Sequence, residues 1–369
     1  MNRALVFTFI LIIALPLGTN LAGIDGADPS AERRELSQFP SRPDSWKSVS
    51  TYPDALGRWF DDHFGFRNLL VRWYAESRLF VLGVSPSSTV MKGRDGWLFY
   101  AEDGALDDYT NQKPLTPLEL KLWREAIVRA RDWLHNRHIG YVFVLAPDKH
   151  VIYPENVTSA LRQVGSTSRM DQVYAALDGT GVATVDLRPG LLAAKRVERL
   201  YFLTDTHWND RGALIAYQQI VDNVRQQVPA TPPAWRREDF LPLEAEVEGR
   251  DLARLVGLTG LPEVDLQLQP NRQRRARVVD PMGANPTAQV GRLVTEIDDP
   301  RLPRAVIFRD SFTAGLVPFL SEHFSRAVYL WQNDFDPDAV LAERPDIVIQ
   351  EIVGRHLYTF LASPELVPQ

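Results

Sequence analysis

Short and mostly apolar runs recur along the chain from residue 141 onwards, and each run has the length of a strand. The runs cover residues 141–146, 182–186, 305–308, 327–331 and 347–350. Continuous apolar runs of this length are typical of strands that are buried on both faces of a sheet. Stretches with helical periodicity lie between them. This alternation predicts an α/β fold built on a doubly wound parallel sheet.

Three helices can be delimited by their end signals and their periodicity. Thr116-Pro117-Leu-Glu119 is a capping box with proline at the first helical position, and it predicts a helix that extends to about Asn136. Asn209 is a good N-cap for an amphipathic helix over residues 210–225. Residues 58–82 also have a helical pattern, with apolar side chains that we expect to pack.

Two stretches interrupt the alternation and predict the domain organisation. Residues 24–50 are rich in Pro, Ser, Asp and Arg and are typical of a linker. Residues 229–302 are rich in Pro, Arg and Glu, which indicates an insertion with few clear elements. We therefore predict an N-terminal segment over residues 1–23, a linker, and one α/β domain over residues 51–369 that contains the insertion.

The N-terminal segment has the features of an export signal. A basic start at Arg3 is followed by residues 4–17, which are apolar except for Thr8 and Pro16. The apolar stretch approaches the roughly 20 residues that a membrane span requires. A cleaved signal peptide and an uncleaved anchor both fit, and the poor cleavage site over residues 18–23 favours the anchor. We expect the remainder to be periplasmic and held at the inner membrane.

Composition excludes several classes of function. The chain has 369 residues, a net charge of −6 and no cysteine. It therefore lacks the basic stripe of a nucleic-acid-binding protein and has neither disulfides nor thiolate metal ligands. A Gly-x-Gly-x-x-Gly or Walker-type loop is absent from the sequence, and the histidines lack the spacing of zinc enzymes. We predict neither a cofactor nor a metal.

Two motifs together supply an acid, a base and a hydroxyl nucleophile. Asp205-Thr-His207-Trp208 lies just before the helix that Asn209 caps, and Ser311 follows the strand predicted over residues 305–308. An imidazole that activates a serine needs an orienting carboxylate on its other nitrogen. Each motif alone is more often structural than catalytic. Because both lie at the ends of predicted elements, where α/β enzymes place their chemistry, we favour a catalytic role.

Three further side chains are candidates for substrate binding. Lys149 and Tyr153 follow the end of a predicted strand and could bind a sugar that carries a carboxylate. A solvated lysine and a packed tyrosine are equally good interpretations. Arg355 is a similar candidate, or it pairs with Glu351. The aromatic residues of the Trp97-Leu-Phe-Tyr100 strand could stack on sugars, but clustered aromatics are more often core.

Several blocks of residues, in this order, resemble those of a known family. The blocks are Asp62-His-Phe-Gly-Phe-Arg67, Lys92-Gly-Arg-Asp-Gly-Trp97-Leu-Phe-Tyr100, Pro147-Asp-Lys149 with Tyr153-Pro-Glu155, Thr204-Asp-Thr-His-Trp-Asn209 with Gly212, Asp310-Ser311-Phe, and Pro345-Asp-Ile-Val-Ile-Gln-Glu351. The chain resembles the alginate O-acetyltransferase proteins of AlgJ/AlgX type, a branch of the SGNH-hydrolase-like superfamily. As in that permuted branch, the acid and base precede the serine. Arg309 stands where the more usual block has glycine.

The resemblance implies a role for each residue of the two motifs. Ser311 would be the nucleophile, His207 the general base and Asp205 its orienter. The implied activity is an extracytoplasmic O-acetyltransferase that acts on an exopolysaccharide through an acetyl-serine intermediate. A polytopic membrane-bound O-acyltransferase would be the partner that supplies acetyl groups. Two alternatives stay open, a carbohydrate acetylesterase with the same triad and a non-catalytic glycan-binding or assembly protein.

Overall fold

The computed structural model describes residues 3–21, 35–258, 260–279, 291–364 and 367. These residues form two compact units, Met1–Lys92 with Glu248–Pro262, and Gly93–Val247 with Glu263–Gln369. This division differs from the predicted single domain over residues 51–369. The reason is that part of the predicted insertion packs on the N-terminal helices, where Gly257 lies against Val71.

The first unit is mainly helical. Its elements are α1 (Arg3–Leu21), α2 (Trp46–Asp62), α3 (Arg67–Glu76), a π-helical turn (Ser77–Val81), strand β1 (Val90–Lys92) and α10 (Asp251–Leu255). None of the helices in the described ranges is long and apolar enough to cross a membrane. Residues 22–34, which include the end of the predicted cleavage region and the start of the predicted linker, lie outside the described residues.

The helix predicted over residues 58–82 is interrupted. A break between α2 and α3 ends at Phe66, whose φ of 62° lies in the left-handed region and cannot continue a helix. Ser45 begins α2 with a capping box, so the predicted linker ends earlier than expected. Of the apolar side chains expected to pack, Leu79 is buried, but Trp73 is exposed. The packing prediction is therefore wrong for part of this segment.

The second unit is built on a seven-stranded mixed sheet. The strands of this unit, seven of which form the sheet, are β2 (Leu98–Tyr100), β3 (Gly140–Ala146), β4 (Ala183–Asp186), β5 (Phe240–Val247), β6 (Glu263–Pro270), β7 (Arg277–Val278), β8 (Arg292–Glu296), β9 (Arg304–Arg309), β10 (Arg326–Trp331) and β11 (Ile347–Val353). The sheet order is β4-β3-β11-β9-β10-β8-β7. The five strands from β4 to β10 are parallel, which confirms all five predicted runs.

The prediction of a wholly parallel sheet is wrong at one edge. Strands β8 and β7 are antiparallel to their neighbours, and β5 and β6 form a separate antiparallel pair. All four come from the region predicted as an insertion with few elements. That region is polar and proline-rich, so its strands carry only a weak alternating pattern. Burial of one face is enough to hold such strands once a sheet edge is available.

Helices flank this sheet. They are α4 (Ala105–Thr110), α5 (Pro117–His135), α6 (Lys149–Ile152), α7 (Arg169–Leu177), α8 (Arg188–Ala194), α9 (Asp210–Gln227), α11 (Thr313–Leu320), α12 (Pro337–Glu343) and α13 (His356–Thr359), with 3₁₀ turns at Pro154–Asn156, Arg237–Asp239 and Ser321–His323. The capping box of Thr116 and Glu119 forms as predicted. Helices α5 and α7 contribute Trp123 and Met170 to one core with Phe143 of β3.

The strand order determines where a site can form. Strands β3, β11 and β9 are parallel neighbours, so their carboxyl ends meet at one edge of the sheet. Asp148, Ser311 and Arg355 each follow one of these strands by two residues. The chain leaves β3 for β4 and leaves β9 for β10 in the opposite direction. Ligands of open α/β sheets bind at such a switch point.

Candidate active site

Asp205 and His207 form a close pair on one loop. Tyr201 and Trp208 close this loop with an antiparallel bridge. Asp205 Oδ1 lies 2.6 Å from His207 Nδ1 and also accepts the backbone N–H of His207 at 3.0 Å. The carboxylate therefore fixes both the ring and the backbone that carries it. A proton on Nδ1 leaves Nε2 as the basic nitrogen, which is the tautomer that a general base requires.

Lys149 holds this loop from inside the protein. Its Nζ donates to the carbonyl oxygens of Phe202 at 3.0 Å, Leu203 at 3.1 Å and Asp205 at 2.5 Å. The side chain is buried, and its ammonium lies 5.4 Å from the centre of the Trp97 ring. Because the loop takes up these donors, the placement gives no support to the predicted role of Lys149 in substrate binding.

Tyr153 is also a packed interior residue. Its hydroxyl accepts the backbone N–H of Leu200 at 2.9 Å, and its ring centre lies 4.3 Å from that of Trp97. Burial raises the pKa of Tyr153 above its ordinary value. This placement supports the packed-tyrosine interpretation and gives no support to substrate binding. Trp97 and Phe99 are buried as well, which confirms that this aromatic strand is core.

Glu263 also holds this loop, a role that sequence analysis missed. Its carboxylate accepts the N–H of Leu203 at 2.6 Å, and the N–H and hydroxyl of Thr204 at 3.0 and 2.9 Å. The neighbouring Asp265 accepts the side-chain amide of Asn209 at 2.9 Å. Both acids lie on β6, whose alternating Glu-Val-Asp-Leu-Gln-Leu pattern was the available signal for a strand.

Asn209 caps α9 as predicted. Its side-chain oxygen accepts the N–H groups of Arg211 at 3.1 Å and Gly212 at 3.2 Å. The cap sits directly after the His207–Trp208 pair, so the first turn of α9 fixes the end of the loop. The orientation of His207 thus depends on the helix that follows it.

Ser311 lies half-buried in the turn between β9 and α11, and the residue after it contacts the ring of His207. The ring of Phe312 lies 4.9 Å from that of His207, and its carbonyl accepts the indole N–H of Trp208 at 3.2 Å. These contacts bring the turn of Ser311 to the ring of the candidate base. The N–H of Phe312 donates to Asp310 Oδ1 at 2.9 Å. The side chain of Asp310 therefore takes up this N–H group.

Arg309, where the family pattern has glycine, is accommodated in the core. Its guanidinium lies 4.6 Å from the centre of the Trp331 ring on the neighbouring strand and donates to the carbonyl of Asp310 at 3.2 Å. Burial lowers the pKa of Arg309, while Glu351 and Asp310 act in the opposite direction. The large side chain is therefore buried against the neighbouring strand, with one hydrogen bond to the turn itself.

Arg355 pairs with Asp148 and not with Glu351. Its Nη1 lies 2.5 Å from Asp148 Oδ1, and its backbone N–H donates to Oδ2 at 2.9 Å. Burial alone would raise the pKa of Asp148, but Arg355 and His150 hold it below its ordinary value. The guanidinium lies 5.6 Å from the centre of the Phe312 ring. This arginine is therefore the predicted binding residue that lies beside the turn of Ser311.

The acids and the histidine behind Arg355 form a buried cluster. Asp108, Asp148 and His150 lie close enough together to share a metal ion. His150 Nε2 and Asp108 Oδ2 are already paired at 2.8 Å, and both oxygens of Asp148 accept from Arg355. A cation there would meet the arginine charge. The donor set fits an ion-pair network that supports Arg355 better than a metal site.

Comparison with known proteins identifies the family. A family model described as an SGNH hydrolase-like domain, acetyltransferase AlgX, matches residues 90–339, which is well over half of the chain. The chain belongs to this family. The AlgJ/AlgX-type resemblance and the SGNH-hydrolase-like fold expected from the sequence are thereby confirmed.

Relatives support the same assignment. The chain is 29% identical over 222 residues to the probable alginate O-acetylase AlgJ of Pseudomonas syringae pv. tomato. The matched region covers 60% of this chain and 53% of the relative. It is 26% identical over 228 residues to the Pseudomonas aeruginosa protein of the same name. Here the matched region covers 61% of this chain and 56% of the relative. The chain thus spans about half the length of the curated relatives it matches.

Solved structures share the fold. Bacillus cereus PatB1 matches with a TM-score of 0.53 at 17% identity, over 73% of this chain and 96% of that one. A DHHW family protein from Eubacterium siraeum matches with a TM-score of 0.50 at 14% identity, over 74% of this chain and 95% of that one.

Proposed function

We propose that this protein is an extracytoplasmic O-acetyltransferase that acetylates hydroxyl groups of an exopolysaccharide. The observation that carries the proposal is the Asp205–His207 pair at 2.6 Å, with its imidazole against the residue that follows Ser311. An oriented imidazole beside a serine is the arrangement that nucleophilic acyl transfer needs. Membership of the acetyltransferase family and relatives named as probable alginate O-acetylases support the same reaction.

The reaction proceeds in two steps, acetylation of Ser311 and transfer of the acetyl group to a sugar hydroxyl. Ser311 Oγ attacks the carbonyl carbon of an acetyl donor while His207 Nε2 takes the hydroxyl proton. The tetrahedral intermediate then expels the donor's leaving group, which receives that proton, and an acetyl-serine ester remains. A sugar hydroxyl next loses its proton to His207 and attacks this ester. Collapse of the second intermediate returns the proton to Ser311 Oγ and releases the O-acetylated sugar.

Arg355 is the residue that we assign to substrate binding. The structure leaves its buried Nε–H without an acceptor among the described residues, while Nη1 is held by Asp148. A guanidinium fixed in this way needs no reorganisation when it binds an anion. It would therefore donate to the developing oxyanion or to a sugar carboxylate. Ionisation is secure, because the nearby Asp148 and Asp310 raise the pKa of Arg355 despite its burial.

The proposal also covers the acetyl donor and the compartment. We propose that a polytopic membrane-bound O-acyltransferase supplies the acetyl groups and that residues 1–23 act as a signal anchor. Helix α1 supports an anchor because its apolar side chains Leu5, Phe7, Phe9 and Ile10 are exposed. Cell fractionation with N-terminal sequencing of the mature protein tests this. A periplasmic, membrane-bound chain that keeps Met1 is expected, and a chain in the cytoplasm would refute the proposal.

Transfer is tested with an activated acetyl ester and purified full-length protein, with and without polysaccharide. We expect acetyl groups on the glycan, detected by mass spectrometry, and loss of transfer in Ser311→Ala and His207→Ala. Rapid ester hydrolysis without glycan acetylation would indicate the acetylesterase instead. A Ser311→Ala protein that supports normal polymer acetylation in cells would indicate the non-catalytic binding protein.

A further inference from the structure

Glu351 is a buried carboxyl directly beside the turn that carries Ser311. It lies near the end of β11, and the register that pairs Gln350 with Phe308 puts it level with Arg309, the last residue of β9. Only 1% of its surface is exposed. A side chain at this level of β11 therefore reaches the point where β9 ends and the turn begins.

One oxygen of Glu351 binds the turn on both sides of the serine. Oε2 accepts the backbone N–H of Asp310 at 3.3 Å and the hydroxyl of Thr313 at 2.8 Å. These two donors precede and follow the Ser311–Phe312 dipeptide. An acceptor shared between them limits how far the dipeptide can move relative to β11.

The carboxyl of Asp310 completes this arrangement. Its Oδ1 accepts the N–H of Phe312, and its Oδ2 accepts the N–H of Val353 on β11 at 2.6 Å. The turn is thus tied to β11 through two acidic side chains. Burial and the nearby Asp310 carboxyl raise the pKa of Glu351 well above its ordinary value.

The location of Glu351 is unfavourable for stability alone. Its Oε1 is buried and accepts no hydrogen bond from the described residues, and an unsatisfied buried polar atom destabilises a folded protein. An apolar side chain of similar size would avoid that cost. What an apolar side chain could not supply is the shared acceptor for Asp310 and Thr313.

We propose that Glu351 is a positioning residue that holds Ser311 in reach of His207. The proposal rests on the proposed function, because it assumes that Ser311 is the nucleophile. Glu351 would position the turn through an oxygen that accepts two hydrogen bonds. Glutamine also has such an oxygen, and leucine does not. A displacement of about 1 Å at a reacting group can cost about a hundredfold in rate.

The test compares Glu351→Gln, Glu351→Leu and Thr313→Val in the full-length protein. Two quantities are measured, the rate at which a sulfonyl fluoride labels Ser311 and the kcat and KM of acetyl transfer. Glu351→Gln should stay within about threefold of the wild type, since its amide oxygen accepts both bonds. Glu351→Leu should lower kcat and the labelling rate together by about tenfold to a hundredfold with KM unchanged. Thr313→Val should fall between these two variants.

Thr295→Val is the matched control. Thr295 is a buried threonine whose hydroxyl donates to Ser321 at 3.0 Å, away from the Ser311 turn, so its labelling rate should equal that of the wild type. A folded Glu351→Leu that is labelled at the wild-type rate would overturn the proposal, and so would a Glu351→Gln as slow as Glu351→Leu. If Glu351→Leu does not fold by circular dichroism, an unchanged rate in Thr313→Val overturns it. A wild-type protein that is never labelled would instead refute the proposed function.

Discussion

At the scale of the residue, the orientation of one imidazole depends on one carboxylate. Asp205 accepts from His207 through both the ring and the backbone, because one residue separates them on a tight loop. This spacing is local, so the pair could be predicted from the sequence. Ser311 lies about a hundred residues further along the chain. The contact of Phe312, the residue after Ser311, with His207 depends on the sheet, which brings the two segments together.

Asp205→Asn should leave the protein folded and remove most of its activity. An amide can donate to Nδ1 and stabilise the wrong tautomer, so Nε2 would hold the proton and could not act as a base. A loss of about a thousandfold or more in kcat is expected. Steady-state acetyl transfer and circular dichroism measure the two properties. Turnover near the wild-type rate would remove Asp205 from the mechanism.

At the scale of the element, the loop of His207 depends on a lysine that the sequence suggested for binding. Lys149→Met keeps the length of the side chain and removes three donors from the carbonyls of Phe202, Leu203 and Asp205. Loss of these hydrogen bonds from a buried charged donor should destabilise the protein by about 3 kcal/mol. Urea unfolding measures this change. A residue that only bound substrate would raise KM and leave the unfolding midpoint unchanged.

The close approach of α9 to Leu200 requires glycine at position 212. A Cβ there would lie 2.3 Å from the carbonyl oxygen of Leu200 and 2.8 Å from Trp208 Cβ. Gly212→Ala should therefore destabilise the protein by about 1–3 kcal/mol, although alanine ordinarily stabilises a helix relative to glycine. The midpoint of thermal unfolding measures the effect.

Gly190→Ala is the control for this prediction. Gly190 lies in α8, and a Cβ there would meet only the end of the Gln219 side chain, which can move aside. Its unfolding midpoint should stay close to that of the wild type or rise slightly. Equal losses in the two variants would mean that the close approach at Gly212 is not the cause.

At the scale of the whole molecule, a buried histidine makes stability depend on pH. His323 Nε2 lies 2.6 Å from the Tyr217 hydroxyl, and its Nδ1 lies 3.2 Å from the carbonyl of Pro232. Burial lowers the pKa of His323 to about 4, and the charges of Arg225 and Arg272 act in the same direction. The neutral ring fits these contacts, with Nδ1–H donating to the carbonyl and Nε2 accepting from tyrosine.

The free energy of unfolding should therefore fall as the pH is lowered from about 6.5 to about 4. In this window the unfolded chain binds a proton at His323 and the folded protein does not, so acid favours unfolding. The contribution is about 3 kcal/mol and levels off below pH 4. Urea unfolding of the wild type and His323→Gln at several pH values measures it. The difference between the two proteins should shrink towards acid, and a constant difference would contradict the assignment.

The sequence by itself determined the features that depend on neighbours along the chain. The five apolar runs predicted the parallel strands, and the caps at Thr116 and Asn209 formed as expected. Periodicity, capping and the Asp205–His207 spacing all act within a few residues. Such signals do not depend on distant contacts, so they can be recognised before the fold is known.

Only the tertiary structure decided which distant side chains meet. Arg355 pairs with Asp148 because β3 and β11 are neighbours, and Lys149 donates to the loop that carries His207. Glu263 contacts that loop from a segment predicted to be an insertion with few clear elements, and Glu351 contacts the turn of Ser311 across the β9–β11 pair. These contacts depend on strand order and register. Strand order in turn depends on how the whole chain packs into layers, which no local pattern encodes.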